Sequence, residues 1–198
     1  MSVVECFFDF SSPFAYLGTT QIERVAAEAG GEVRFRPFLL GALFKALGTP
    51  LVPLHTFPES KRRHQELDLA RWADFYGVPF RFTSHFPLRT VTALRLALVV
   101  DEPRFVHRVM RAAWVEDRDV GQNDVLSACL SDLGLDPALV ERTEEPEVKA
   151  RLREATDEAL ARGVPGAPTF IVEDRVYWGQ DRLPFVDRAL RGRPVGPA

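Results

Sequence analysis

The chain has 198 residues, 46% of them hydrophobic and 27% charged, with a net charge of −3. That balance is ordinary for a soluble globular protein of one large domain or two small ones, and the mild negative charge argues against nucleic acid or any other polyanion as a partner. Two cysteines, Cys6 and Cys129, without C-x-x-C spacing, and four histidines (His55, His64, His85, His107) without metal-ligand spacing argue against a disulfide framework, a dithiol redox centre and a metal site.

The N-terminal run MSVVECFFDF has no basic n-region and no small-residue cleavage site, so a cytoplasmic protein without a signal peptide is expected. No apolar run approaches the roughly 18 residues of a membrane span, and no membrane association is expected. Residues 3–10 are apolar, aromatic and few, which reads as a buried strand. Ser12-Pro13 then opens a helix. Proline suits the first helical turn, and Phe14, Gly18, Ile22, Val25 and Ala29 recur at spacings of three and four until Gly30-Gly31 ends the pattern. A second strand follows at 32–38, where Val33 and Phe35 alternate with Glu32, Arg34 and Arg36. Strand, helix and strand in forty residues imply a parallel βαβ unit.

From residue 41 to about 163 the pattern turns helical. A short helix and an irregular stretch with Pro50, Pro53 and Pro58 lead to a helix at 60–76, with Leu69, Trp72, Ala73 and Tyr76 on one face. After a loop holding Pro79 and Pro87 come helices at 90–100, 103–116 and 123–133. Short helices start at Asp136-Pro137 and near Pro146, the last reaching Gly163. The chain then returns to β structure, with a strand ending at Val172, a hairpin partner at 175–178, and a terminal helix at 181–190. Strand composition at both ends with helices between them predicts a discontinuous α/β domain, residues 1–40 plus 164–198, and an inserted helical domain, residues 41–163. Both cysteines sit in apolar segments and are expected to be buried.

Three segments carry candidate chemistry. Ser12 stands at a helix mouth at the carboxyl end of the first strand, where unpaired N–H groups and the helix dipole favour an anion; taken alone, it reads first as an N-cap. Gly166-Ala167-Pro168-Thr169 precedes a strand, a setting in which proline belongs at the strand start and in which a cis Ala167–Pro168 bond fits. Gly179-Gln180-Asp181-Arg182 opens the last helix, and Asp181 alone would serve as its cap. Tyr16 is either core or pocket wall. Trp72 and Trp178 are core or pocket walls as well.

Five segments, spanning nearly the whole chain and in family order, carry a resemblance. They are residues 8–17 (F-D-F-x-S-P-F-x-Y-L), Arg36-Pro37, residues 68–73, residues 163–170 with G-x-P-T-F, and residues 178–183 (W-G-Q-D-R-L). The architecture resembles the thioredoxin-like family that includes DsbA, with its large helical insertion. The motifs resemble 2-hydroxychromene-2-carboxylate isomerases and kappa-class glutathione transferases. The resemblance implies glutathione as cofactor. Ser12 would donate to its sulfur and favour the thiolate, with Pro13 and the helix start supplying the dipole. Ala167 and Pro168 would pair with the cysteinyl residue as strand-like peptide recognition. Gln180 and Asp181 would hold the γ-glutamyl end, and Lys61 would contact the ligand unless it is a solvated charge in the run Lys61-Arg62-Arg63.

The family often has asparagine near Thr49 and at the position of Arg89; Arg89, like Tyr16, is a candidate for binding substrate, bidentately if that substrate is a carboxylate. The implied activity is glutathione-dependent cis–trans isomerisation of the 2-hydroxychromene-2-carboxylate type, in aromatic catabolism, on a small molecule and with a homodimer among the expectations. The alternatives are a kappa-like transferase or peroxidase and a non-catalytic thioredoxin-like binding module. A dithiol oxidoreductase is disfavoured, because Ser12 and Ala15 occupy both cysteine positions of the usual motif.

Overall fold

A computed structural model describes residues 2–196. Its elements follow in the order β1 (Val3–Phe8), α1 (Pro13–Glu28), β2 (Glu32–Pro37), α2 (Leu40–Ala46), a 3₁₀ turn (Pro53–Thr56), α3 (Glu59–Tyr76), α4 (Val91–Val100), α5 (Pro103–Trp114) and α6 (Asn123–Asp132). A second 3₁₀ turn (Pro137–Glu144), α7 (Pro146–Ala161), β3 (Thr169–Val172), β4 (Arg175–Trp178), a third 3₁₀ turn (Gln180–Arg182) and α8 (Leu183–Leu190) complete the chain.

The four strands form one sheet in the order β2-β1-β3-β4. β1 runs parallel to β2, with Val4 opposite Val33, and antiparallel to β3, with Cys6 opposite Phe170. β1 shows no apolar alternation because both of its faces are covered. Val4, Cys6, Phe170 and Val172 meet Ile22 and Val25 of α1 and Val186 and Leu190 of α8. On the opposite face Phe7 and Ile171 join a larger apolar cluster that runs through Phe38, Leu94, Met110, Trp114 and Leu126 into the helical region. Two arginines, Arg36 and Arg162, also lie over the Phe7 ring, at 5.9 and 5.4 Å. The core is therefore continuous across residues 40/41 and 163/164, where the sequence divides into sheet-forming and helical parts.

Several boundaries move for local reasons. β1 ends at Phe8 rather than residue 10, because Asp9 turns its carboxylate to the N–H of Ser11 and its carbonyl to the N–H of Ser12. The expected helix at 181–190 begins as a 3₁₀ turn, and α8 starts only at Leu183. Asp181 does not cap it: Arg182 is the N-cap residue and makes no side-chain capping bond. Cys6 and Cys129 are free and buried. They lie in the two different apolar clusters, and no disulfide joins them. Burial pushes both thiols up in pKa. Among the described residues no helix is long and apolar enough to cross a membrane.

Candidate active site

The C-terminal end of β1 delivers Ser12 to the mouth of α1. Its hydroxyl oxygen accepts from Ala15 N–H at 3.1 Å, as an N-cap does, and its proton is donated to the Ala167 carbonyl at 2.8 Å. One hydroxyl thus joins the helix mouth to the residue before Pro168. The Ala167–Pro168 peptide is cis, as is Phe86–Pro87, which no sequence pattern pointed to. The N–H of Ala167 has no hydrogen-bond partner among the described residues. An unfilled donor beside a carbonyl already in use leaves a strand-like edge that an extended peptide can pair with.

Ser12, Pro13 and Ala167 line one end of a cavity of about 980 Å³. Its other walls are mostly apolar, from Leu39, from Leu40 and Phe44 on α2, from Leu51, Val52, Pro53, Leu54 and Phe57 around the first 3₁₀ turn, from Leu69 on α3, and from Phe82 and Phe86 in the loop before α4. Its polar groups are few: Asp9, Ser11, Thr49, Lys61, Gln65, Glu66, Arg89, Thr90 and Trp178 are among them. That loop is held at its base by Asp117. The Ser84 N–H, the hydroxyls of Thr83 and Ser84, and the Arg81 guanidinium keep its carboxyl below the usual range.

The expected site residues do not all converge. Lys61 lines the cavity, with its Nζ 3.9 Å from the Phe57 ring centre. Arg89 lines it too, and no carboxylate pairs with it within the described residues. Pro168 borders it through Ala167 and accepts the N–H of Gly179 on its carbonyl at 2.9 Å. Gln180 is buried, outside the lining, and its carbonyl accepts the Tyr76 hydroxyl at 2.9 Å. Burial, with the nearby Asp181 carboxylate, pushes that phenol up to about 12. Asp181 also lies outside the lining and pairs with Arg182 at 3.0 Å. Tyr16 lies outside the cavity lining: it is 4% exposed, stacks on Phe80, and donates its hydroxyl to the Pro79 carbonyl. The bulky ring fits the core because its one polar atom finds that carbonyl. Trp178, 56% exposed, is a cavity wall, whereas Trp72 packs on Phe75 and Tyr76 away from it.

Asp9 was missed by sequence reasoning. It is 1% exposed, and its carboxylate receives Ser11 N–H at 2.9 Å, the Thr90 hydroxyl at 2.7 Å and Leu40 N–H at 2.8 Å. Burial raises its pKa and the three donors pull it back. The signal was present in the pattern, as a lone carboxylate between Phe8 and Phe10 at the end of an apolar strand.

A thioredoxin-type sheet, a polar residue at the α1 mouth and a cis-proline facing it define the class of site. The chain belongs to the DSBA-like thioredoxin domain family, whose model matches residues 3–191. It is 32% identical over 190 residues to the 2-hydroxychromene-2-carboxylate isomerase of Sphingobium xenophagum, covering 94% of this chain and 97% of that one. It is 28% identical over 214 residues to a Caenorhabditis elegans protein named glutathione S-transferase kappa 2, covering 98% and 93%. The solved structure of a 2-hydroxychromene-2-carboxylate isomerase superposes with a TM-score of 0.83 at 25% identity, covering 95% of this chain and 94% of that one.

Proposed function

We propose that the protein is a glutathione-dependent isomerase of the 2-hydroxychromene-2-carboxylate type, acting in the breakdown of aromatic acids. The observation that carries this reading is the Ser12 hydroxyl, hydrogen-bonded to Ala167 O at 2.8 Å at the end of a largely apolar cavity of about 980 Å³. The residues fit a peptide thiol. Ala167 offers a free N–H and a carbonyl on one edge, and Ser12 offers a hydroxyl at a helix N-terminus.

Glutathione held by these residues would supply a thiolate nucleophile for reversible conjugate addition to the substrate. The protein's residues do the rest. Ala167 aligns the peptide. When a peptide N–H takes the Ala167 carbonyl, the Ser12 proton is released to turn toward sulfur, where a charge-assisted hydrogen bond favours thiolate. The apolar walls from α2, α3 and the loop before α4 exclude water and hold the aromatic body. Arg89 and Lys61, which line the cavity, would receive a carboxylate. Gln180 and Asp181 would take the γ-glutamyl end, Asp181 by exchanging its Arg182 partner for the ligand's ammonium.

The test is isomerisation of 2-hydroxychromene-2-carboxylate followed by absorbance, with and without glutathione. Turnover that requires glutathione and falls in Ser12→Ala supports the reading. Absence of glutathione-dependent turnover, with the fold intact, overturns it.

A further inference from the structure

Asp9 has no part in the chemistry above, yet it sits where it must influence it. Its carboxylate is buried on the floor of the cavity, three residues before Ser12, with no cation paired to it among the described residues. Each of its oxygens receives a backbone N–H that cannot rotate away: Ser11 N–H on Oδ1 and Leu40 N–H on Oδ2, with the Thr90 hydroxyl also on Oδ1. Fixed donors on both oxygens support the carboxylate against the burial that raises its pKa, since a proton on either would face an amide hydrogen. The groups it touches are the loop into α1, the first residue of α2 and the N-cap of α4. Its own carbonyl accepts Ser12 N–H at 3.2 Å. The remaining charges on the cavity are Lys61 and Glu66 on α3 and Arg89 before α4, all exposed to solvent and screened by it. Arg89 in turn acts on Asp119, whose carboxyl it helps Gln122 and Gly121 to hold below the usual range. Lys45, on α2, is exposed near the end of that helix.

We propose that Asp9 is a charge-setting residue for the anion site at Ser12: its buried negative charge opposes the dipole of α1 and holds the acidity of a thiol at that site in check, while its three hydrogen bonds keep the cavity walls in register. The role rests on reading Ser12 as the thiolate's partner. Its physical basis is that a buried charge is screened far less than a surface one. A site whose helix mouth and hydroxyl both favour thiolate would otherwise hold sulfur as a strongly stabilised anion. Such an anion is a weaker nucleophile, because nucleophilicity falls as thiol pKa falls.

The experiment uses a thiol that does not depend on glutathione. Ser12→Cys places one at the site, and its ionisation is read from absorbance at 240 nm and from the pH dependence of alkylation by iodoacetamide. Cys6 and Cys129 are buried and contribute little. The helix mouth should bring this thiol below the free value of about 8.5. Adding Asp9→Asn should lower it by at least roughly one further pH unit, since a unit charge within about 12 Å at an effective dielectric near 20 contributes that much or more. An unchanged or raised thiol pKa overturns the proposal. If Asp9→Asn does not fold, because its amide hydrogens face a backbone N–H, Leu40→Pro is added. Proline is tolerated at the first position of a helix, and it removes that donor; the same comparison then decides. A lowered pKa together with failure of glutathione to bind the native chain would leave this role standing and remove the isomerase reading instead.

Discussion

Ser12 makes two hydrogen bonds, and its loss should be felt in both stability and rate. Ser12→Ala removes the cap on Ala15 N–H and the tie to Ala167. The cap alone is worth about 1 kcal/mol, and a chain of this size loses about 2–4 °C of melting midpoint per kcal/mol. A fall of a few degrees by calorimetry is expected. In glutathione-dependent turnover the lost bond to a charged sulfur is worth roughly 1.5–3 kcal/mol, or about 10- to 150-fold. An unchanged rate at saturating glutathione would take Ser12 out of the mechanism. Asp9 has a pH signature of its own. Its folded carboxyl pKa lies above the ordinary 3.8, chiefly through burial. As pH rises past that value the unfolded chain releases its proton first, so Asp9 contributes most at low pH and progressively less up to its raised pKa. The stability difference between the native chain and Asp9→Asn, from urea titrations across pH 4 to 7, should shrink with rising pH and then level off. A flat difference would show that the folded pKa is not raised. The role of Ser12 at a helix mouth was legible from a strand followed by Ser-Pro. That Asp9 gathers donors from three segments was not, because two of those donors are contributed 31 and 81 residues away.

At the level of elements, α1 must lie close to the cis-proline strand, and two glycines show how tightly. A Cβ on Gly18 would come 3.0 Å from Pro168 Cγ and 3.1 Å from the ring tip of Phe170, which is fully buried. Neither neighbour can retreat easily. Overpacking of this kind costs about 1–3 kcal/mol, against up to about 1 kcal/mol recovered in helix propensity, so Gly18→Ala should lower the melting midpoint. Gly166 differs. A Cβ there would meet Trp178 Nε1 at 2.8 Å, but Trp178 is 56% exposed and can swing out. Gly166→Ala should therefore keep nearly native stability while weakening ligand binding, as the displaced indole reshapes the cavity wall; isothermal titration with glutathione checks it, and native affinity would argue against Trp178 as a wall of the ligand site. Across the sheet, Glu5, Arg36, Glu158 and Arg162 form a cluster between the strands and α7, with Arg162 on Glu5 at 2.5 Å and Arg36 on Glu5 at 3.4 Å. These side chains are partly exposed, so their contribution is small and weakened by salt.

For the whole molecule the decisive measurement is a ligand-induced shift in melting. Glutathione at about 100 times its dissociation constant should stabilise the fold by roughly 2.7 kcal/mol, a rise of about 5–11 °C at this chain length. Asp181→Asn should reduce the rise if Asp181 releases Arg182 to hold the ligand's ammonium. No shift at millimolar glutathione would favour the non-catalytic binding module.

Element type and order were readable along most of the chain, because buried strands, helix stripes, prolines and glycines act locally on the backbone. The thioredoxin-like architecture was readable too, since five motifs in fixed order span nearly the whole chain. Local pattern could not assign Tyr16, which could face core or cavity until Phe80 and the Pro79 carbonyl were brought to it. Nor could it separate Asp181 from a helix cap, since that depends on where the 3₁₀ turn ends and α8 begins. The cavity is the clearest case. Its walls come from segments far apart in sequence, and only packing those segments around one buried carboxylate brings Ser12, Ala167, Lys61 and Arg89 to a single space. Local propensity acts over a few residues, whereas burial and hydrogen-bond satisfaction act across the whole packed chain.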